Sequence, residues 1–312
     1  MRLVALGFSC NNACIFCAQG ELRASDAAQD QERRSPSPAE AIAAITPGET
    51  VAFVGGEPTI YEDLPAWIAA ADARGAARIV VQTNGRRLAY RAYTRELAAA
   101  SKRLTLDVAL HGSTAPMHDY HTSVPGSFQQ TVQGLRHARA EGLPAGVTTV
   151  ITRSNFRHLG EIVRVARACG AAAVHLTIAA PHGRASRDAD RVIPAFEMVK
   201  PHLDVAIAEA QRLGIPVRCE ALGVLESAGT ARGEPATVLF AGIGELEPAA
   251  STPVVADAVV TKRQLHVLGK PVPARAEVRA PVKRTGTELR EIFPTLFAPQ
   301  PSHGPHTPGG GV

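Results

Sequence analysis

The sequence of 312 residues contains few aromatic residues, few cysteines and no long apolar run. Phenylalanine, tryptophan and tyrosine make up 4% of the chain, whereas all hydrophobic residues together reach 45%, enough for a sizeable core. No uninterrupted apolar stretch is long enough to span a bilayer, so we expect no membrane partner. The apolar run at residues 3–6 is also too short for a signal peptide.

The charge and the cysteine content argue against a nucleic-acid-binding protein and against a disulfide-linked protein. The formal net charge is +4, and no stripe of Lys and Arg interleaved with aromatic residues is present, so we expect no nucleic-acid partner. The five cysteines show no disulfide framework. This usage suits a reducing compartment and predicts a cytoplasmic protein.

Three of the cysteines, Cys10, Cys14 and Cys17, lie close together just after a predicted first strand. Their thiolates can therefore converge on one metal centre. Structural zinc requires four ligands, and no fourth Cys or His follows at finger-like spacing. A [4Fe–4S] cube held by three cysteines leaves one iron open to a small ligand. The spacing favours such a cluster, and a structural zinc knuckle is the alternative.

A second motif, Gly55-Gly56-Glu57-Pro58, ends the apolar run at residues 51–54, which has the pattern of a fully buried strand. Two glycines let a backbone approach a ligand without an intervening Cβ atom. The carboxylate of Glu57 can pair with an ammonium group. The motif therefore predicts a ligand contact at the end of this strand.

Predicted strands and helices alternate along the chain through six repeats, which implies an α/β fold with a parallel sheet and right-handed crossovers. After the strand at 3–6 and a helix that opens at the Ser37–Glu40 capping box, the strands are predicted at 51–54, 78–82, 104–110, 146–151 and 173–179. The helices between them are predicted near 62–74, 88–100, 127–141 and 156–169. A Rossmann sheet is the alternative, but its Gly-x-Gly-x-x-Gly fingerprint is absent.

Polar residues close these strands, and the carboxyl ends of barrel strands collect ligands. They are Glu57, Asn84, His111 with Ser113, Arg153 and Thr177. His118 and His121 follow in a segment predicted to be a loop at the same end, where they could bind a metal or face a substrate.

The motifs together resemble the radical S-adenosylmethionine (radical SAM) superfamily over residues 1–183. The resemblance rests on Cys-x3-Cys-x2-Cys with an aromatic before the last cysteine, on Gly-Gly-Glu, on Thr83-Asn84-Gly85 and on the polar cluster His111-Gly112-Ser113. It implies an open, partial (β/α)6 TIM-like barrel. It also implies a single [4Fe–4S] cluster on the three cysteines and bound S-adenosylmethionine as cofactors.

The resemblance further implies roles for the strand-end residues toward S-adenosylmethionine. The backbone of Phe16 would meet the adenine, and Glu57, beside Gly55 and Gly56, would take the methionine amine. His111 or Ser113 would read the ribose, and Arg153 would face the methionine carboxylate. Asn84 and Thr177 close the third and sixth strands at the same site.

The implied activity is that of a radical SAM enzyme. The reduced cluster would cleave S-adenosylmethionine to a 5′-deoxyadenosyl radical that abstracts hydrogen from a small-molecule or peptide substrate. Peptide or natural-product maturation is the first hypothesis, and activation of a glycyl-radical enzyme is the second. The non-catalytic alternative is an iron–sulfur electron-transfer or metal-binding protein. An electron donor such as flavodoxin or ferredoxin is the expected protein partner.

The organisation predicted is a barrel core at 1–190, a C-terminal α/β extension at 191–298 and a disordered tail at 299–312. A helix at 194–213 and a strand at 215–219 could extend the barrel or pack beside it. No cysteine follows Cys219, so a second all-thiolate cluster is not expected there. Cys219 itself is the candidate catalytic hydrogen donor.

Overall fold

The computed structural model describes residues 1–20 and 35–219. In this part of the chain, seven parallel strands form one sheet whose spatial order follows the sequence from β1 to β7. The strands are β1 (Arg2–Ala5), β2 (Thr50–Val54), β3 (Arg78–Thr83), β4 (Leu104–Ala109), β5 (Ala145–Ile151), β6 (Val174–Ile178) and β7 (Val217–Cys219). The order never reverses, whereas a Rossmann sheet reverses at its switch point. The α/β partial-barrel prediction is therefore confirmed.

The sheet has one strand more than the six predicted repeats. β7 pairs with β6 in parallel, with Val217 opposite Val174 and Cys219 opposite Leu176. The strand near 215–219 thus extends the sheet, beyond the boundary predicted at residue 190. The predicted extension after residue 219 and the predicted tail at 299–312 lie outside the described residues.

Helices connect the strands, and they include all those predicted from the sequence. They are α1 (Pro38–Ala43), α2 (Leu64–Ala73), α3 (Arg91–Ala100), α4 (Ala115–Thr122), α5 (Ser127–Ala140), α6 (Leu159–Cys169), α7 (Arg184–Arg187), α8 (Ala189–Val192) and α9 (Phe196–Leu213). The capping box of α1 is present, because Ser37 and Glu40 each accept the other's backbone N–H. Within the described residues, no helix is long and apolar enough to cross a membrane.

The loop predicted around His118 and His121 is wrong, since residues 115–122 form α4. In α4 the buried positions are mostly polar and include His118, His121 and Thr122. An apolar period of 3.6 residues, the main sequence signal for a helix, is therefore missing there.

Successive strand residues point to opposite faces of the sheet. Val108 and Thr131 of α5 both lie against Gly85, so Val108 belongs to the side covered by helices. We call this side the helix face, and its members are buried: Val51, Phe53, Ile79, Val81, Leu106, Val108, Val147, Ile151, Leu176 and Cys219. The alternate residues form the inner face: Val80, Gln82, Asp107, Ala109, Thr148, Val150, His175, Thr177 and Arg218.

Candidate functional site

The segment between β1 and residue 20, which we call the cysteine loop, carries Cys10, Cys14 and Cys17. The last turn of α4 holds this loop through its free carbonyl groups. The backbone N–H of Ala13 donates to the Thr122 carbonyl at 2.9 Å, and that of Ile15 donates to the His121 carbonyl at 3.0 Å. These bonds satisfy two of the carbonyls that a helix end leaves without an intrahelical partner.

Arg184, at the start of α7, donates hydrogen bonds to the other side of the cysteine loop. Its backbone N–H donates to the Cys17 carbonyl at 3.0 Å, and its guanidinium donates to the Cys14 carbonyl at 3.2 Å. The Cys17 N–H in turn donates to the Cys14 carbonyl, which closes a turn between the two cysteines. The backbone of the loop is thus fixed from two sides.

The three cysteines of the cysteine loop differ in exposure from the other two cysteines. Cys10, Cys14 and Cys17 are half-buried and form no disulfide, whereas Cys169 and Cys219 are buried. Among residues 1–20 and 35–219, no three His, Cys, Asp or Glu side chains converge tightly enough to hold one metal ion. A cube binds its thiolates through separate irons, so it needs three sulfurs from one loop but no convergence on a point. Structural zinc would need four converging ligands.

Gly55 and Gly56 form the turn after β2 with positive φ angles of 91° and 54°. A Cβ atom at Gly56 would collide with the backbone of Ser9, and one at Gly55 would lie 2.8 Å from the Gly7 carbonyl oxygen. The Glu57 N–H donates to the Ser9 carbonyl at 2.8 Å. The two glycines therefore let the turn pack directly against the cysteine loop. Their predicted approach to a ligand stays a prediction.

Glu57 is 1% exposed, and its carboxylate accepts four hydrogen bonds. Oε1 accepts from the Thr59 N–H at 3.0 Å and from the hydroxyls of Thr59 and Thr83 at 2.6 Å. Oε2 accepts from the Asn84 N–H at 2.6 Å. Burial raises the pKa of Glu57, and these donors oppose that rise by stabilising the charge. Glu57 thereby ties the end of β2 to the end of β3, and its pairing with a ligand ammonium stays a prediction.

The end of β3 also bonds to the cysteine loop. The Asn84 side-chain amide donates to Asn11 Oδ1 at 2.6 Å. Arg86 donates to the Asn11 carbonyl and, at 3.0 Å, to Asn12 Oδ1. Sequence reasoning selected Asn84 but missed Arg86, although it follows the same Thr-Asn-Gly turn.

A cluster of three buried histidines lies beside Phe16. The Phe16 ring packs edge-on against His111 at a centroid distance of 4.7 Å and lies 6.2 Å from His121. His118 Nδ1 accepts the His111 N–H at 3.1 Å. Burial lowers the pKa of His118 to about 3 and that of His121 to about 4, and it holds the pKa of His111 well below its ordinary value. All three rings are therefore neutral at physiological pH.

His121 connects three elements of the site. Its Nδ1–H donates to the Met117 carbonyl at 2.7 Å, because a carbonyl only accepts, and its Nε2 accepts from the Thr152 hydroxyl at 2.7 Å. It thus joins α4 to the end of β5 beneath Phe16. The sequence predicted His118 and His121 in an open loop, and the structure places both in the buried part of a helix.

The remaining predicted residues lie in other surroundings. Ser113 donates its hydroxyl to Glu161 of α6 at 2.8 Å. Arg153 is exposed and donates to the Asp190 carbonyl at 2.9 Å. Thr177 is half-buried on the inner face, and Cys219 lies on the helix face beside Leu176. The structure therefore gathers Phe16, Gly55, Gly56, Glu57, Asn84 and His111 around the cysteine loop, and it directs Cys219 away from the inner face.

The sequence matches the family described as Radical SAM superfamily over residues 4–190, more than half of the chain. An AdoMet-dependent heme synthase of Nitratidesulfovibrio vulgaris is 30% identical over 195 residues, which are 61% of this chain and 50% of that protein. An AdoMet-dependent heme synthase of Methanosarcina barkeri is 25% identical over 279 residues, 82% of this chain and 78% of that protein.

The fold is similar to that of Streptococcus suis SuiB, whose crystal structure bound to S-adenosylmethionine superposes with a TM-score of 0.53 at 16% identity. The match covers 70% of this chain and 49% of SuiB. SuiB bound to its precursor peptide SuiA gives a TM-score of 0.50 at 17% identity, over 78% of this chain and 50% of SuiB. The chain spans about half the length of the first curated relatives that it matches.

Proposed function

The chain belongs to the radical SAM superfamily of enzymes, and from that membership we propose that it abstracts a hydrogen atom from an organic substrate held at the inner face. The cofactors of this family are a [4Fe–4S] cluster and S-adenosylmethionine. When bound, they supply a carbon-centred radical, and the protein supplies binding, orientation and exclusion of water. The observation that carries the proposal is a loop with three cysteines whose backbone is fixed by α4, α7 and the ends of β2 and β3.

The protein groups have separate tasks in this proposal. Cys10, Cys14 and Cys17 hold the cluster at the carboxyl edge of the sheet. Phe16 places its backbone and ring beside the cluster site, where it is supported by His111 and His121.

The residues proposed for S-adenosylmethionine differ in how well their surroundings support the role. Gly55, Gly56, Glu57 and Asn84 lie at the strand ends that contact the cysteine loop, which supports a role close to the cluster. His111 contacts Phe16 and is better supported for the ribose than Ser113, whose hydroxyl is bonded to Glu161. Arg153 and Thr177 remain candidates at the edge of the site.

For the substrate, we propose a peptide or natural product as the first candidate. The likeness to SuiB, which has been solved with a precursor peptide, supports a fold able to accept such a chain. A tetrapyrrole is the second candidate, because a relative named for heme synthesis matches over 82% of this chain. Flavodoxin or ferredoxin as electron donor and a cytoplasmic location complete the proposal.

Anaerobic reconstitution tests the proposal directly. Protein loaded with iron and sulfide is mixed with S-adenosylmethionine and dithionite, and 5′-deoxyadenosine and methionine are measured. We expect both products in equal amounts, and none from the variant with Cys10, Cys14 and Cys17 changed to Ala. A fully loaded protein that binds S-adenosylmethionine but forms neither product would refute the proposal and favour a non-catalytic iron–sulfur protein.

A further inference from the structure

The inner face carries a row of polar side chains on the neighbouring strands β3 to β6. Parallel pairing places Gln82 of β3 opposite Asp107 of β4, and Thr148 of β5 opposite His175 of β6. Residues paired across a parallel ladder point to the same face. The interior of a complete (β/α)8 barrel is normally packed with branched apolar side chains. Polar side chains at these inner-face positions are therefore not explained by packing alone.

Asp107 is the centre of this row. It is 6% exposed, and its Oδ1 accepts the Thr148 hydroxyl at 2.5 Å. Its Oδ2 faces the Gln82 amide at 3.5 Å, which is too long for a strong hydrogen bond. A carboxylate has about four acceptor sites. A buried acid with one short hydrogen bond is thus under-supplied with donors, which is costly unless a further group meets it.

The side chains around Asp107 can be reached from the inner face. Gln82, Ala109, Thr148 and Thr177 are each partly accessible, whereas Leu106, Val147 and Leu176 of the helix face are buried. Burial raises the pKa of Asp107 to about 6, so the carboxyl is mostly ionised at neutral pH. The row therefore offers a negative charge beside accessible polar groups.

The row lies beneath the cysteine loop. Val150 is on the inner face two residues beyond Thr148, which is about 7 Å along a strand. Val150 and Phe16 pack against the same apolar cluster of Ala179, Ala185 and Val192. Phe16 precedes Cys17 in the chain. Asp107 is opposite Gly146, four residues before Val150, so it lies about 13 Å along the strand, or two inner-face side chains, below the residues next to the proposed cluster.

We propose that Asp107, with Gln82 and Thr148, binds an amino group of the substrate and so fixes the substrate beneath the cysteine loop. The inference rests on the proposed function, because it takes the inner face as the place where substrate meets the cofactors. An ammonium group is the best-suited partner for the Asp107 carboxylate, because it supplies N–H donors to the acceptor oxygens and a positive charge that offsets the negative one. Asp107 would act as a specificity residue for amine-bearing substrates.

The test uses methylammonium chloride as the probe and sodium chloride at equal ionic strength as the control. Cluster-loaded protein labelled with 13C at the aspartate carboxyl carbons is titrated and followed by NMR. We expect a saturable shift of the Asp107 resonance in the millimolar range with methylammonium only. The resonance of Asp204, an exposed acid on α9, should respond equally to both salts.

Asp107→Asn keeps the shape and removes the charge, so methylammonium binding, measured by calorimetry, should weaken at least tenfold. Should this variant fail to fold, Gln82→Ala identifies the Asp107 resonance instead, because it removes only the long amide contact. No saturable shift in the wild type, or binding unchanged in Asp107→Asn, would overturn the inference. Binding of the probe without formation of 5′-deoxyadenosine would refute the proposed function and leave this site supported.

Discussion

The two faces of the sheet are built from alternate residues of the same strands, yet they differ in composition and in access. The helix face consists almost entirely of buried apolar side chains such as Leu106 and Leu176. The inner face carries Gln82, Asp107 and Thr148 and is partly open. The difference indicates that the helix face provides most of the folding free energy, which leaves the inner face free for polar groups that bind ligands.

The cysteines also fall into two groups, three half-buried in the cysteine loop and two buried elsewhere. Replacing the first group is expected to have the largest effect of all, on bound iron. Changing Cys10, Cys14 and Cys17 to Ala should abolish bound iron and acid-labile sulfide, because these thiols are the proposed cluster ligands. Changing Cys169 and Cys219 to Ala should leave about four irons per chain, since both are buried away from the cysteine loop. Iron and sulfide analysis after anaerobic reconstitution measures both. Full iron retention in the triple variant would contradict the assignment.

Truncating one side chain on the helix face and one on the inner face compares what the two faces contribute to stability. Leu176 is 0% exposed on the helix face, so Leu176→Ala should lower the free energy of unfolding by about 2–5 kcal/mol. Val150→Ala on the inner face should cost only about 1 kcal/mol, because Val150 is half-buried. Urea unfolding with unchanged m-values tests the pair. Equal losses would mean that both faces are packed alike.

Glu57 lies where the turn after β2 meets the cysteine loop, and its substitution separates binding from cluster assembly. Glu57→Ala removes the proposed charge-assisted bond to the ligand ammonium, worth about 1.5–3 kcal/mol, so S-adenosylmethionine affinity should fall about ten- to hundredfold. Iron content should stay unchanged. Glu57→Gln is the matched control, since it keeps one acceptor oxygen and should lose less affinity. Unaltered affinity by calorimetry would limit Glu57 to joining β2 and β3.

Asp107, the buried acid of the inner face, should make the free energy of unfolding depend on pH, and the apolar helix face should not. The pKa of Asp107 is raised from 3.8 to about 6, so the folded state holds its proton more tightly than the unfolded chain. This contribution is fully present below the unfolded pKa and is lost as the pH rises through 6. Relative to Asp107→Asn, the wild type should lose about 1–2 kcal/mol of stability between about pH 4.5 and pH 7. If the stability of the wild type and that of Asp107→Asn changed with pH in parallel, the raised pKa of Asp107 would be contradicted.

Local signals were enough to predict most of the strands and the position of three cysteines in the loop after β1. The strand at 104–110 and the helix opening at Ser37 were correct within a residue or two because apolar runs and capping residues act over short distances. Glu57 and Asn84 were correctly placed at neighbouring strand ends for the same reason. Arg86 and the histidines of α4 were missed or misplaced, since nothing near them in sequence reports what they contact.

The sequence by itself determined the alternation of strands and helices, the three cysteines in one loop and the polar residues at the strand ends. Only the tertiary structure decided which of these residues share surroundings. It filled the space at Gly56 with Ser9, bound Ser113 to Glu161, placed Cys219 on the helix face and set Asp107 beside Thr148. The physical reason is that strand register and helix packing join segments far apart in the chain, and neither is encoded in a local pattern.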